Sequence, residues 1–187
     1  MPQPLVVGLG NPGEEYRDTR HNLGFRVLDE LARRLLAGPG RVECNAVVRE
    51  TAEVTLAQPL TYMNRSGYSA RCLAERRGVE PAAFLIVYDD VHLPLGRLRF
   101  RSKGGSGGHK GMASVLHNLR SEEIPRLRLG VGREQGVVTG EGLSDYVLGP
   151  FGPTELALAD ELVERAAAAC LCWLREGAEA VMRQFNG

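Results

Sequence analysis

The residues best suited to acid–base chemistry lie where two apolar segments of the sequence meet polar ones. His21 stands directly before an amphipathic run, and Asp89 and Asp90 follow the apolar segment 84–88. An aspartate bonded to one ring nitrogen of a histidine fixes the tautomer and leaves the other nitrogen free to take a proton from water. His21 with Asp89 therefore predicts a general base. The alternatives, a histidine that only caps a helix and aspartates that only solvate a strand end, stay open here.

The position of His21 also carries an electrostatic expectation. A helix begins just after it, and the positive end of a helix dipole disfavours an imidazolium. We therefore expect the His21 ring to be uncharged and able to accept a proton near pH 7.

Asn11 lies in a glycine loop that imitates a dinucleotide-binding motif. The run 8–13 reads G-x-G-x-x-G after a strand, which by itself favours a nicotinamide cofactor. However, Pro12 and residues 14–22 separate the third glycine from the next helical pattern, whereas a pyrophosphate needs that helix start close by. The loop is better read as presenting the Asn11 amide. An NAD-dependent oxidoreductase is kept as an alternative that binding calorimetry would test.

A second polar loop places an aromatic ring, a flexible apolar side chain and an amide in sequence. These are Tyr62, Met63 and Asn64, between a predicted strand and a predicted helix. They offer stacking and hydrogen bonding to one ligand. The chain has no serine or cysteine in a nucleophile-elbow pattern and no H-E-x-x-H spacing, so hydrolysis by directly attacking water is the simplest mechanism.

Basic residues are concentrated in one segment of a chain with no formal net charge. Residues 97–110 hold five cations and no acid. Alternation along a strand puts Arg99 and Arg101 on one face, and Arg126 with Arg128 repeat the pattern, so two strands are predicted to present arginines to phosphate. The alternative is an edge strand that charge keeps solvated.

A glycine-rich loop follows these cations. Residues 104–111 read GGSGGHKG and lead into a predicted helix, so exposed backbone N–H groups should favour an anionic or carbonyl-rich ligand. The segment lacks the Walker A pattern, which argues against ATP.

The elements that must position these residues alternate between strands and helices. Strands are predicted at 5–9, 84–88, 98–101 and 127–131, two extended runs around 46–48 and 54–57, and helices at 22–36, 68–77, 112–120 and 154–175. This order predicts one α/β domain over residues 1–187. We expect a three-layer sandwich with a twisted, mixed and mostly parallel sheet between helices.

Composition sets the remaining expectations. The longest apolar run spans only residues 166–174, and the N-terminus lacks signal-peptide features, so we expect no membrane span and a cytoplasmic protein. The cysteines form no C-x-x-C pair, which predicts reduced thiols and no metal centre at Cys44, Cys72, Cys170 and Cys172.

Five segments together resemble the ordered signatures of bacterial peptidyl-tRNA hydrolases. They are VVGLGNPGEEYRDTRHNLGF (6–25), PLTYMNRSG (59–67), IVYDDVHLPLG (86–96), GGSGGHKG (104–111) and RLRLGVG (126–132). The resemblance implies an esterase without metal or cofactor that acts as a monomer and releases an N-blocked peptide from the 3′ end of tRNA. It also implies contacts to the CCA end, the acceptor stem and the 5′ phosphate.

The same resemblance assigns roles residue by residue. It implies that His21 is the general base, that Asp89 holds it, and that Asn11 and Asn64 position water and the peptide carbonyl, with Asn11 helping to reject unblocked aminoacyl-tRNA. The substrate contacts it implies come from Tyr16, Tyr62, Met63 and His109 near the acylated end, and from Arg101 and Arg128 at the 5′ phosphate.

Two positions depart from the family pattern. Lys110 stands where the family usually has asparagine, which leaves ester positioning open but allows a contact to phosphate of the CCA end. His92 stands where the family has a second acid, and we read it as tuning the site. Because of Lys110, a catalytically weak RNA-binding relative of the same fold is the main alternative.

Overall fold

The computed structural model describes residues 1–187, which form a seven-stranded sheet with helices on both faces. The strand order is β2-β3-β4-β1-β5-β7-β6. The strands are β1 (Leu5–Gly8), β2 (Arg41–Glu43), β3 (Ala46–Glu50), β4 (Thr55–Pro59), β5 (Phe84–Pro94), β6 (Leu98–Arg101) and β7 (Arg126–Gly132).

Six helices cover the two faces of this sheet. They are α1 (Leu23–Arg34), α2 (Ser66–Arg77), α3 (Lys110–Leu119), α4 (Gly142–Val147), α5 (Leu156–Glu176) and α6 (Ala178–Phe185). One apolar cluster joins α1, α5 and α6 to the sheet, and a second joins α2 and α3 to its other face. Val6 belongs to the first cluster and its neighbours Leu5 and Val7 to the second, because alternate side chains of a strand point to opposite faces. The predicted three-layer α/β sandwich is confirmed.

The strand directions show where the sheet is parallel. The central strands β4, β1, β5 and β7 pair in parallel, whereas β2–β3, β3–β4 and β6–β7 pair antiparallel. The sheet is mixed, as predicted. Five of the seven strands run in one direction, but the pairings divide evenly between the two kinds.

A close approach at Gly24 sets α1 against the ends of the central strands. A Cβ atom there would lie 2.5 Å from the Val87 carbonyl oxygen and 2.6 Å from that of Leu9. Only glycine lets the first turn of α1 pack this tightly, so the residues just before the helix are held at the edge of the sheet.

The edge strand β6 is covered by the end of the chain. Asn186 accepts a hydrogen bond from the Phe100 N–H (2.7 Å) through Oδ1 and donates one to the Phe100 carbonyl (3.0 Å) through Nδ2. The side-chain amide of Asn186 thus makes the two hydrogen bonds to β6 that the backbone of a neighbouring strand would otherwise make.

Several boundaries differ from the sequence prediction. The second apolar strand does not end at residues 88–90 but continues as β5 to Pro94, because Leu93 and the backbone facing β7 still find partners. Three elements were not predicted: β2, α4 and α6. β2 was missed because Cys44 and Asn45, with φ of 53° and 54°, make the hairpin turn without the usual glycine. No helix combines the length and apolarity required to cross a bilayer.

The prediction for two of the cysteines is wrong. Cys44 and Cys72 form a disulfide with their Cα atoms 5.6 Å apart, linking the β2–β3 turn to α2. The sequence spacing of 28 residues gave no sign of this, because the pairing depends on how the hairpin folds onto the helix. Cys170 and Cys172 are free and buried, as expected.

Candidate active site

His21 and Asp89 meet at the edge of the sheet where β1 stops and β5 continues. His21 lies in a short 3-10 turn (Arg20–Asn22) before α1, and Gly8, the last residue of β1, pairs with Val87. The His21 Nδ1 lies 2.9 Å from both carboxylate oxygens of Asp89, whose side chain is buried. Nδ1 therefore donates its proton to Asp89, and Nε2 makes no hydrogen bond to the protein. This is the arrangement predicted for a general base.

The charge of Asp89 changes how easily the His21 ring is protonated. Burial of the ring disfavours the imidazolium, but the charge of Asp89 and its hydrogen bond outweigh burial and raise the pKa of His21 above its ordinary value. The charge of Lys110 acts against this rise. The expectation from the helix dipole left out this carboxylate, whose effect on the pKa of His21 is in the opposite direction.

His109 binds the same carboxylate from the opposite layer. Its Nδ1 accepts the Met112 N–H (3.1 Å) as the N-cap of α3, so its Nε2 carries the proton and donates it to Asp89 Oδ1 (3.0 Å). Burial alone would raise the pKa of Asp89, but its two histidine partners outweigh burial and hold that pKa well below its usual range. The carboxylate is thus fixed in its charged form between two imidazoles.

Asn11 is oriented with one amide donor left over. Its Oδ1 accepts the Met63 N–H (2.8 Å), and its backbone N–H and carbonyl both pair with the side chain of Asn22 (2.8 and 2.9 Å). Asn11 Nδ2 makes no hydrogen bond to the protein and Asn11 lines the same cavity as His21. It is therefore available as a donor to a carbonyl or oxyanion.

The cavity that holds His21 has a volume of about 480 Å³, which is the size of a small-ligand site. Residues from the predicted polar loop and the glycine loop share it with residues of α4. The lining includes Tyr62, Met63, Asn64, Gly107, Gly108, Lys110, His92, Leu143 and Val147. Polar donors and apolar surface thus surround the free nitrogen of His21.

Tyr16 does not line this cavity itself but packs against Tyr62, which does. Its side chain meets Tyr62 edge to face, with ring centres 6.4 Å apart. Tyr62 itself is 59% exposed, which leaves its face open for stacking.

The cluster of His21, Asp89 and His109 also has the composition of a metal site, since its ligand atoms lie within 4.8 Å of one another. In the observed arrangement the two histidine nitrogens that face Asp89 are both hydrogen-bonded to it. A metal would have to displace both of these protons. The hydrogen-bonded geometry supports proton transfer, and hydrolysis without a metal stays a prediction.

The arginines of β6 and β7 do not all face solvent as predicted. Arg126 is 2% exposed and donates hydrogen bonds to the carbonyl oxygens of Ile124, Gly105 and Gly104 (each 2.8 Å). Alternation along the strand gave its face correctly but did not reveal that the glycine loop covers it. Arg126 therefore holds that loop and is not available to phosphate.

Arg101 and Arg128 differ in how free they are. Arg101 is exposed on β6 and forms no ion pair, whereas Arg128 Nε donates to Asp90 Oδ2 at 2.6 Å. Arg128 pairs across the ladder with Arg99, so cations still line this face. Neither Arg101 nor Arg128 lines the cavity that holds His21, and both stay predicted phosphate contacts.

The sequence of nearly the whole chain matches one protein family. The model described as peptidyl-tRNA hydrolase covers residues 5–187. The chain belongs to this family.

Similar proteins in the peptidyl-tRNA hydrolase family cover most of the chain. The peptidyl-tRNA hydrolase of Syntrophomonas wolfei subsp. wolfei is 43% identical over 186 residues, which is 97% of this chain and 99% of the relative. That of Synechococcus sp. (strain JA-3-3Ab) is 47% identical over 97% of this chain and 82% of its own. The crystal structure of the Acinetobacter baumannii peptidyl-tRNA hydrolase has a TM-score of 0.91, 31% identity and coverage of 99% and 95%.

Within this peptidyl-tRNA hydrolase fold, the sequence reasoning missed two contributions to the site. Asn22 holds both backbone groups of Asn11, and the only signal in the sequence was its place directly after His21. The wall formed by α4 was missed because a six-residue helix shows no clear apolar period.

Proposed function

We propose that this chain hydrolyses the ester bond between an N-blocked peptide and the 3′ end of tRNA. The observation that carries the proposal is the His21 ring, whose Nδ1 donates to Asp89 while its Nε2 is free in a cavity lined by amide donors. Membership of the peptidyl-tRNA hydrolase family supports the choice of substrate. The chain would act as one domain and as a monomer in the cytoplasm.

The reaction follows from the atoms that face the cavity. Nε2 of His21 takes a proton from water as the oxygen attacks the ester carbonyl carbon, and Asp89 stabilises the imidazolium that forms. The amides of Asn11 and Asn64, which line the same cavity, would donate to the negative carbonyl oxygen of the tetrahedral intermediate. As the intermediate collapses, the bond to the 3′ oxygen of tRNA breaks and His21 returns the proton to that oxygen. The products are a free peptide acid and tRNA with a free 3′ hydroxyl.

The rest of the substrate would lie along the other predicted contacts. Tyr62 and Met63 would pack against the acylated CCA end with Tyr16 behind them, and Lys110 would pair with a phosphate there. Arg101 and Arg128 would hold the 5′ phosphate at the end of the acceptor stem. The tRNA would then span from the cavity to the exposed face of β6.

His21→Ala tests the function directly. A general base contributes about 10²–10⁴-fold, so turnover should fall by roughly that factor while tRNA binding changes little. The measurement is release of labelled peptide from peptidyl-tRNA, with and without a chelator. His117→Ala, an exposed histidine of α3, is the matched control. Wild-type protein that binds tRNA but releases no peptide would instead support the RNA-binding alternative.

A further inference from the structure

Arg20, the residue before His21, is largely buried although it takes no part in the proposed chemistry. Its side chain is 12% exposed. Nη2 donates to Glu155 Oε2 at 2.9 Å, and Nη1 donates to the Tyr146 carbonyl oxygen at 3.1 Å. The guanidinium carbon also lies 4.2 Å from the centre of the Tyr146 ring. A planar guanidinium can make these three contacts at once, which an ammonium cannot.

The backbone of the same turn is tied to the same segment. The Arg20 N–H donates to the Gly149 carbonyl at 3.0 Å, and Thr19 forms an isolated β-bridge with Pro150. A Cβ atom on Gly149 would lie 3.3 Å from Arg20 Nη1, so the two segments are in close contact. The turn that carries His21 is thus joined to residues 146–150 by both its main chain and a side chain.

Those residues continue a wall of the cavity that holds His21. Leu143, Ser144, Val147 and Leu148 all line it. Tyr146, between them, donates from its hydroxyl to the Val131 carbonyl of β7 at 2.6 Å. The wall is therefore fixed at two points, on the central sheet through Tyr146 and on the catalytic turn through Arg20.

We propose that Arg20 is a positioning residue that holds the wall at residues 143–148 in register with His21, so that the acyl part of the substrate is presented to the attacking water. This inference rests on the proposed function. The wall supplies apolar side chains to the cavity, and the ester carbonyl must lie near Nε2. A shift of this wall relative to the turn that carries His21 would move the ester carbonyl away from Nε2. A displacement of about 1 Å can cost roughly 10²-fold in rate.

Arg20→Met tests this, because methionine keeps an unbranched side chain but makes none of the three polar contacts. Hydrogen exchange of residues 142–150 should become faster, while exchange in β1 and β5 stays as in the wild type. The ratio kcat/KM should fall by about 10–100-fold. The pH at which activity is lost on the acid side should not move, since the pair of His21 and Asp89 is untouched. The exchange rates and kcat/KM of Arg20→Lys should lie between those of the wild type and those of Arg20→Met.

Arg133→Met is the matched control. The Arg133 guanidinium carbon lies 4.9 Å from the same Tyr146 ring, but the residue is exposed and has no contact with the catalytic turn. Its exchange and kinetics should match the wild type. Folded Arg20→Met protein with wild-type kcat/KM would overturn the proposal, even if its melting temperature were lower, because a purely stabilising residue would behave in that way.

Glu155→Gln decides the matter if Arg20→Met does not fold. This variant removes the charged partner of Arg20 at constant size. We therefore expect hydrogen exchange of residues 142–150 to become faster and kcat/KM to fall, each by less than in Arg20→Met. Exchange rates and kinetics equal to those of the wild type would reject the proposal. A failure of the proposed function would look different. The wild type would then release no peptide at all.

Discussion

Two neighbouring carboxylates on β5 lead to two regions of opposite character. Asp89 is buried and shares its oxygens between His21 and His109. Asp90 also lines the cavity, but its carboxylate pairs with Arg128 on the basic face of β6 and β7. Two successive residues of one strand thus bind different partners, Asp89 two histidines and Asp90 an arginine that we propose as a phosphate contact.

The two regions also differ in whether their charged side chains have partners within the protein. In the first region Asp89 is hydrogen-bonded to His21 and His109, which lie 68 and 20 residues away in sequence. The second is formed by the antiparallel strands β6 and β7, which α3 separates in sequence, and its cation Arg101 has no acidic partner. The cluster of His21, Asp89 and His109 is therefore held together by bonds within the protein, whereas Arg101 on the basic surface has no ion-pair partner.

Asp89→Asn should have the largest effect and should change turnover more than binding. The amide cannot hold the His21 tautomer or stabilise its imidazolium, so kcat should fall by about 10²-fold or more. Because Asp89 raises the pKa of His21 and only the neutral ring acts as base, the loss of activity on the acid side should move to lower pH. Pre-steady-state peptide release across pH measures both effects. An acid limb that stays in place would mean that another group titrates.

Asp90→Asn, its neighbour, should act on binding instead. The change releases Arg128 from its ion pair, so tRNA affinity should rise and its dependence on salt should become steeper.

Arg101→Ala should instead lower tRNA affinity and make its dependence on salt shallower. The slope of log affinity against log salt concentration should be smaller by about 1 for one lost phosphate contact. Titrations of tRNA at several salt concentrations give the slopes. Salt-independent binding in the wild type would refute the phosphate surface.

Lys110→Asn should have the smallest effect on turnover, because Lys110 makes no hydrogen bond to His21 or Asp89 and acts on the His21 ring only through its charge. That charge lowers the pKa of His21, so its removal should move the acid limb of kcat/KM to higher pH. Lys110→Arg keeps the charge and should leave the limb where it is. If both variants shift the limb equally, the steric contribution of the side chain and not its charge is responsible.

The catalytic cluster could be predicted from the sequence to a large extent. Strands that run in parallel bring their ends to one edge, so a histidine after the first strand and an aspartate on the next were expected to meet. The second histidine was placed near the substrate, but its bond to Asp89 could not be foreseen. That bond depends on His109 capping α3 with its other nitrogen.

The basic surface was predicted less well. Alternation tells which side of a strand a residue occupies but not what packs on that side, so Arg126 was counted with the exposed cations. The disulfide of Cys44 and Cys72 escaped for a related reason, since it joins two elements whose contact is purely tertiary. Local patterns do not report such contacts.

The side-chain amide of Asn186 on Phe100 has a consequence for how the molecule behaves among its own copies. An uncovered outer strand is a template on which another polypeptide can add, and such addition starts aggregation. Here one carboxamide occupies the N–H and carbonyl at the middle of that strand. If Arg101 beside it contacts phosphate, as we propose, it does so next to a strand whose outer groups are already paired.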